Sequence, residues 1–532
     1  MSEMLGGVID PANMNDISFG LVTILHGDSR KRLLDIPDES VDVVITSPPY
    51  YGLRSYKTDP LVWGGNADCC HKWGPEQRSK RKDILPPSES SSVSRMGTDE
   101  RQGLGSVSGG RFCVSCGAWK GSLGNEPDPK IYVANLVDVF RIVRQKMRPW
   151  ATLFLNLADS YAATRTYQVD GTKQTDGSQP NFGPSGPDGL KEMDQVGIPW
   201  RVVSALQADG WWWRQTIVWA KGISFCEAYS GTCMPESIDG WRWERHRVKV
   251  GYQEPTRKSK QSEHPNKTVA GFNGRYFDGD GPKYKDCPGC PKCSPNDGFI
   301  QRRGSWRPTS SHEYIFMLTK SEEYFSDPEA VKEVSSSGPS DIRRMIESKD
   351  RIGGLAKKQK DPLMKASGLT NIGRKQVVGD PSGRNLRSVW VINPRPFPGA
   401  HFSTFPPDLV EPMIKVSTSE RGNCPKCGSP WARIIRRTSN YKRREQAYVP
   451  NNQSSKVDST GWEFPDVKTL GWKRTCGCGH RDPIRPVVLD PFVGSGTTLL
   501  KAKEFGRRGI GIELNEQFCK MAADRVKQIE IF

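Results

Sequence analysis

The sequence predicts an α/β protein, and two observations predict it. Near the N-terminus, the apolar runs Val22–Leu25 and Val41–Thr46 flank a polar stretch, Ser29–Ile36, with room for a helical turn or two. Near the C-terminus the same grammar returns as Val487–Asp490, the glycine turn Pro491–Gly496, Thr497–Phe505, Gly509–Glu513 and Gln517–Gln528. Short apolar runs stopped by Gly or Pro read as buried strands, and the intervening segments as helices.

Between these ends, residues 131–148 place apolar side chains at helical spacing, with basic residues towards the end, as an amphipathic helix requires. Ala151–Leu157 reads as a strand and Val202–Ala208 as helical. Thr216–Ala220 and Tyr314–Leu318 are further strand candidates. Residues 78–110 and 162–192 are polar and read as loops. The segment 222–310 carries Trp241, Trp243 and the basic run Arg257–Lys260; residues 335–385 are again polar and basic.

A chain of 532 residues suits two to four domains at roughly 100–200 residues each. With 35% hydrophobic and 26% charged residues it is polar yet able to build a core. The 53 Gly and 40 Pro make it rich in loops. Lys and Arg number 77 against 60 Asp and Glu, a net charge of +17. That balance favours a polyanionic partner, nucleic acid before an acidic membrane surface. No apolar run reaches the roughly 18 residues of a spanning helix. Residues 1–16 lack the basic start and apolar run of a secretory signal, so a reducing cytosolic location is expected. The 14 cysteines then read as metal ligands rather than disulfide partners.

Two motifs carry chemistry. In Asp490-Pro491-Phe492-Val493-Gly494-Ser495-Gly496-Thr497, glycines stand where a strand turns into a helix. There the backbone can approach a ligand, and a helix N-terminus offers free N–H groups. Glu513 ends the next strand, where a carboxylate can accept ribose hydroxyls. The bland alternative is a plain glycine turn. In Ser47-Pro48-Pro49-Tyr50, two prolines stop a buried strand and stiffen the backbone, and an aromatic ring follows at the ligand-binding edge of the sheet. The alternative there is a proline loop with a packing tyrosine.

Together, and in this order, the motifs resemble those of the beta-class amino-methyltransferases of DNA. Five blocks at residues 46–56, 155–161, 312–321, 396–406 and 490–498 look like phage- and prophage-type site-specific DNA methylases; the polar insertions lie outside the resemblance. It implies S-adenosylmethionine as methyl donor, double-stranded DNA as partner, and a Rossmann-like methyltransferase core with a mostly parallel seven-stranded sheet and helices on both faces. Such a sheet needs a strand beyond that of Glu513, and the Val22–Leu25 strand can supply it, so the expected core is circularly permuted. By resemblance Asp28 contacts the cofactor's adenine, although a helix cap is the alternative. Phe402, Thr404 and Phe405 line the methionine side, and Asp490, Pro491, Phe492, Gly494, Ser495, Gly496, Thr497 and Glu513 complete the cofactor site. A role in restriction-modification, in a bacterium or a phage-infected host, is the corresponding biological expectation.

The resemblance makes Ser47, Pro48, Pro49 and Tyr50 the catalytic set. An exocyclic base amine is a poor nucleophile because its lone pair is delocalised into the ring. Acceptors on both N–H bonds, the Ser47 hydroxyl and the Pro48 carbonyl, pull it towards tetrahedral geometry. Tyr50 can stack on a flipped base, and positioning supplies much of the rate because the sulfonium methyl is already activated. No Pro-Cys dipeptide is present, which speaks against carbon-5 chemistry. Serine at the head of the motif tilts the target to N4 of cytosine over N6 of adenine.

The cysteines cluster as three zinc candidates: Cys69 (or Cys70), His71, Cys113 and Cys116; Cys287, Cys290 and Cys293, completed by His246, Cys226 or Cys233; and the ribbon knuckles Cys424, Cys427, Cys476 and Cys478. They read as structural staples. The expected division is core at 17–66, zinc insertion at 67–125, core at 126–221, a basic cysteine-bearing insertion at 222–310, a core strand at 311–330, a basic region at 331–390, a cofactor-pocket segment at 391–420, a zinc ribbon at 421–482 and core at 483–532. The two basic regions are the target-recognition candidates. Competing readings are a zinc-dependent nucleic-acid-binding protein without activity, and a methylase of RNA or of a protein amide.

Overall fold

A computed structural model describes residues 16–52, 58–75, 78–79, 107–108, 110–162, 189–191, 194–221, 241–252, 282–302, 308, 310–333, 384–394, 406–437, 442–443, 462–463 and 467–528. Its centre is a mixed sheet of nine strands: β1 (Ile17–Phe19), β2 (Val22–His26), β3 (Val41–Thr46), β4 (Met147–Leu157), β5 (Trp212–Ala220), β6 (His312–Thr319), β7 (Val389–Val391), β8 (Val487–Asp490) and β9 (Arg508–Glu513). The spatial order is β1-β2-β9-β8-β3-β4-β6-β5-β7. The five strands from β2 to β4 run parallel, whereas β6 is antiparallel to both its neighbours. The N-terminal β2 pairs with the C-terminal β9, register Val22 with Gly509 through His26 with Glu513.

Helices α1 (Ser29–Arg32), α2 (Pro129–Lys146), α3 (Ile198–Ala208), α4 (Pro407–Ser417), α5 (Thr497–Glu504) and α6 (Glu516–Lys527) accompany the sheet. Strand β3 is buried at every position, because both its faces are covered. Val41 and Val44 join the cluster containing α2 and α3 side chains, including Phe140 and Val203. Val43 and Ile45 join that of α4, including Val410 and Ile414. No helix among the described residues is long and apolar enough to cross a membrane.

The sheet has nine strands where seven were expected. The added strands, β1 and β7, are three-residue edge segments, too short to show a period. Strand β5 begins at Trp212 rather than Thr216; a bulge between Trp213 and Gln215 breaks the alternation a sequence reading relies on. Helix α4 was not foreseen. Much of the expected loops 78–110 and 162–192 and of the basic region 331–390 lies outside the described residues.

Candidate active site

Strands β3 and β8 are adjacent and parallel, so the turns after them share one edge of the sheet. Hydrogen bonds lock those turns together. The Asp490 carboxylate, 1% exposed, accepts from Thr46 Oγ1 at 2.7 Å, Thr498 Oγ1 at 2.7 Å and the Phe492 N–H at 3.1 Å. Burial raises its pKa to about 6 against the opposing hydrogen bonds. Thr46 directly precedes Ser47, so one buried carboxyl couples the proline motif to the glycine loop.

The glycine loop is built tightly. Gly496 has φ +78°, and a Cβ there would lie 2.9 Å from the Cβ of Ala522 on α6. Arg525 on the same helix donates from Nη1 to the Ser495 carbonyl (3.1 Å), Ser495 Oγ (3.0 Å) and Thr497 Oγ1 (2.8 Å). Ser29 Oγ donates to the Pro491 carbonyl at 2.7 Å, tying α1 to the loop. Glu513 accepts from the Gly494 N–H at 3.0 Å and the Asn515 N–H at 2.9 Å, and burial lifts its pKa to about 7.

These contacts sort the residues expected to hold a cofactor. Gly494, Gly496, Pro491, Phe492 and Glu513 meet at the strand ends. The side chains of Asp490, Ser495 and Thr497 face inward contacts instead, which leaves backbone groups for a ligand. Asp28 takes the alternative role of cap: it accepts from the Arg30 N–H at 3.0 Å and pairs with the Arg30 guanidinium at 2.7 Å. Arg30 also lies 3.8 Å over the Trp63 ring. Phe402, Thr404 and Phe405 lie outside the described residues.

The proline motif is held from behind. Tyr132 on α2 donates to the Pro49 carbonyl at 2.9 Å. The Gly124 N–H and Asn135 Nδ2 both donate to Glu126, fixing the turn against which Tyr50 rests. A Cβ at Gly124 would come within 2.9 Å of the Tyr50 carbonyl. In front, Ser47 Oγ donates to Tyr50 Oη at 3.0 Å, and Tyr50 Oη to Glu313 Oε2 at 2.8 Å. Asn156 Nδ2 donates to Tyr50 Oη (2.8 Å) and Glu313 Oε2 (2.9 Å). Lys221 Nζ pairs with Glu313 Oε1 at 3.1 Å. Asn156 Oδ1 is buried without a hydrogen-bond partner, a costly arrangement unless a ligand donates to it.

The sequence reading missed Asn156, Lys221 and Glu313. The available signal was a polar residue inside or flanking an apolar strand: Asn156 within β4, Glu313 near the start of β6, and Lys221 just after β5.

Three ligand clusters assemble elsewhere: Cys69, His71, Cys113 and Cys116; His246, Cys287, Cys290 and Cys293; and Cys424, Cys427, Cys476 and Cys478. In each, all four ligand atoms lie within 4.8 Å of one another. His246 takes the open fourth place; Cys226 and Cys233 lie outside the described residues, and Cys70 is exposed. Knuckle turns recur, with the Gly117 N–H donating to the Cys113 carbonyl and the Gly428 N–H to that of Cys424.

A sequence profile described as DNA methylase, of the N6/N4 type, matches residues 41–424 and 483–524. The type II methyltransferase M.SmaI of Serratia marcescens is 23% identical over 503 residues, covering 94% of this chain and 90% of its own. M.XycI of Xanthomonas campestris pv. cyanopsidis is 25% identical over 506 residues, covering 95% and 87%. Among solved structures, the cytosine-N4-specific PvuII DNA methyltransferase aligns over 96% of this chain and 92% of its own at 11% identity, TM-score 0.36.

Proposed function

The chain belongs to the N6/N4 DNA methylase family, and from that premise we propose that it transfers a methyl group from S-adenosylmethionine to the exocyclic amine of a flipped base in duplex DNA, N4 of cytosine first and N6 of adenine second. The observation that carries this reading is the lock between Thr46, Asp490 and Thr498. It sets the amine-binding motif beside the glycine loop, as direct methyl transfer between two bound partners requires.

In this reading the backbone of Gly494 and Gly496 admits the cofactor, and Glu513 exchanges its backbone partners for ribose hydroxyls. Ser47 Oγ and the Pro48 carbonyl accept from the target amine, and the Tyr50 ring stacks on the base. Serine at position 47 supports cytosine. The pairing of β2 with β9 supports a permuted Rossmann-like core built from 17–66, 126–221, 311–330 and 483–532. The segments 67–125, 222–310 and 421–482 are insertions, 331–390 is a basic region, and 391–420 contributes to the cofactor pocket.

The clusters suit structural zinc. A tetrahedral ion with Zn–S bonds near 2.3 Å holds its ligands roughly 3.8 Å apart, close to the 3.9 Å between Cys69 Sγ and Cys113 Sγ and the 3.6 Å between Cys290 Sγ and Cys293 Sγ. Trp241 and Trp243, 68% and 55% exposed, adjoin or lie on the ribbon that pairs Arg242–Arg245 with Phe299–Arg302. Beside the ribbon's three arginines, Arg242, Arg245 and Arg302, they support 222–310 as a DNA-recognition element, the arginines holding phosphates. A DNA-modifying enzyme of this kind works in the cytosol of a bacterium or phage-infected host, and restriction-modification is its natural setting.

The test is transfer of label from methyl-labelled S-adenosylmethionine by purified zinc-loaded protein to duplex DNA, RNA and a protein mixture. Label in DNA alone is expected. Label in RNA or protein alone would replace the substrate. Retained DNA binding without cofactor binding would favour a binding protein.

A further inference from the structure

Tyr50 is more than a stacking ring in this site. Its hydroxyl sits at the centre of a polar cluster on the ends of three neighbouring strands: Asn156 from β4, Glu313 from β6 and Lys221 just beyond β5. Glu313 is 9% exposed and Asn156 4%. Burying such groups is costly unless they are paired; here Asn156 Nδ2 and the Glu313 carboxylate both bond the phenol, and Lys221 pairs with Glu313.

The chemistry of the groups fixes the direction of the hydrogen bonds. A carboxylate only accepts, and the Glu313 carboxylate lies between two donors, with Lys221 Nζ 3.1 Å from its Oε1 and the Tyr50 hydroxyl 2.8 Å from its Oε2. Tyr50 Oη must therefore donate to Glu313. Its single proton spent, it can only accept from its other neighbours. Asn156 Nδ2 donates to it, and so does Ser47 Oγ at 3.0 Å. A serine hydroxyl also has one proton. With that proton turned to Tyr50, Ser47 presents only lone pairs to anything else it meets. Free to rotate, the same hydroxyl would point its proton at an incoming amine as readily as its lone pairs.

We propose that Glu313, held by Lys221 and Asn156, is a positioning residue that acts through the Tyr50 hydroxyl to make Ser47 an obligate acceptor for the target amine. This deepens the reading of Ser47 above and rests on it. Glu313 sets the polarity of a two-hydroxyl chain whose far end meets the substrate, and the Tyr50 phenol transmits it.

Single-turnover methylation of duplex DNA at saturating S-adenosylmethionine tests the proposal with four variants: Tyr50→Phe, which keeps the ring; Glu313→Gln, whose amide can donate; Glu313→Asp, which keeps an acceptor-only group; and Tyr50→Phe/Glu313→Gln. Tyr50→Phe and Glu313→Gln are each expected to slow the chemical step about 10- to 100-fold, the scale of one hydrogen bond to a charged group. Cofactor and DNA dissociation constants should stay unchanged. The double variant should be no slower than the worse single one, because both break the same chain, and Glu313→Asp should recover part of the rate. A wild-type rate in Tyr50→Phe, multiplying losses in the double variant, or a loss confined to KM would overturn it. Should Glu313→Gln fail to fold, Tyr50→Phe alone decides by its rate. Absence of DNA methylation by the wild type would instead sink the underlying functional reading.

Discussion

Arg525 shapes the glycine loop from the opposite side of the helix junction. One of its guanidinium nitrogens satisfies two hydroxyls and a carbonyl of the Ser495–Thr497 turn. Replacing it with Met should weaken S-adenosylmethionine binding by about tenfold, the worth of one to two such hydrogen bonds, without changing DNA affinity; calorimetric titration of both ligands checks this. Gly496→Ala should cost about 1–3 kcal/mol of stability, since it combines a left-handed backbone with a close approach to Ala522, read as a lower unfolding midpoint in denaturant. At this scale the sequence was only partly legible. Gly494, Gly496 and Glu513 announced themselves by sitting at strand ends. The cap role of Asp28 was legible as an alternative, whereas the engagement of Ser495 and Thr497 was not, because it depends on Arg525. The pairing of Arg525 with residues about 30 positions away is a tertiary fact that no local pattern encodes.

The ribbon at Cys424–Cys478 is keyed into the core at the level of elements. Asn423, next to the first knuckle, donates to Asp42 on β3 at 2.7 Å, and Arg148 on β4 pairs with the same carboxylate at 3.2 Å. Arg148 also packs beneath Gly428, where a Cβ would fall 1.8 Å from its Nη1. The knuckle therefore rests on two central strands, one of which ends in the proline motif. Cys424→Ser is expected to lower bound zinc from three ions to two per chain and to reduce thermal stability and methylation together. Metal analysis alongside calorimetry checks this; an unchanged melting transition with lost metal would show the ribbon to be independent of the core. The Cys-x2-Cys-Gly spacing was legible because a metal knuckle is a local structure. His246 was one of three options for its cluster, since 41 positions separate it from Cys287 and only the pairing of Arg242–Arg245 with Phe299–Arg302 and of Arg247–Tyr252 with Pro282–Asp286 brings them together.

For the whole molecule, the parallel strands were legible as buried apolar runs, and joining the two ends of the chain into one sheet followed from the strand such a sheet needs beyond that of Glu513. The edge strands and the cluster around Tyr50 were not, because both depend on which strands become neighbours. The same burial sets a pH response. Asp42 and Asp490 are raised to about 6, and Glu126 and Glu513 to about 7, each chiefly by burial. Their carboxyls hold protons in the folded state that the unfolded chain has already released. From these groups stability falls as pH rises from about 4 to 7. Denaturant unfolding across that window should show this negative slope, and Asp490→Asn should make it shallower; an identical slope would contradict the assignment.

Nucleoside mass spectrometry of plasmid DNA from cells expressing the wild type, with Ser47→Ala as control, tests the central claim most directly. N4-methylcytosine in the wild type and its loss in the variant is the predicted result. N6-methyladenine instead would contradict the cytosine assignment, and no methylated base from folded, zinc-loaded protein would contradict the account of the site.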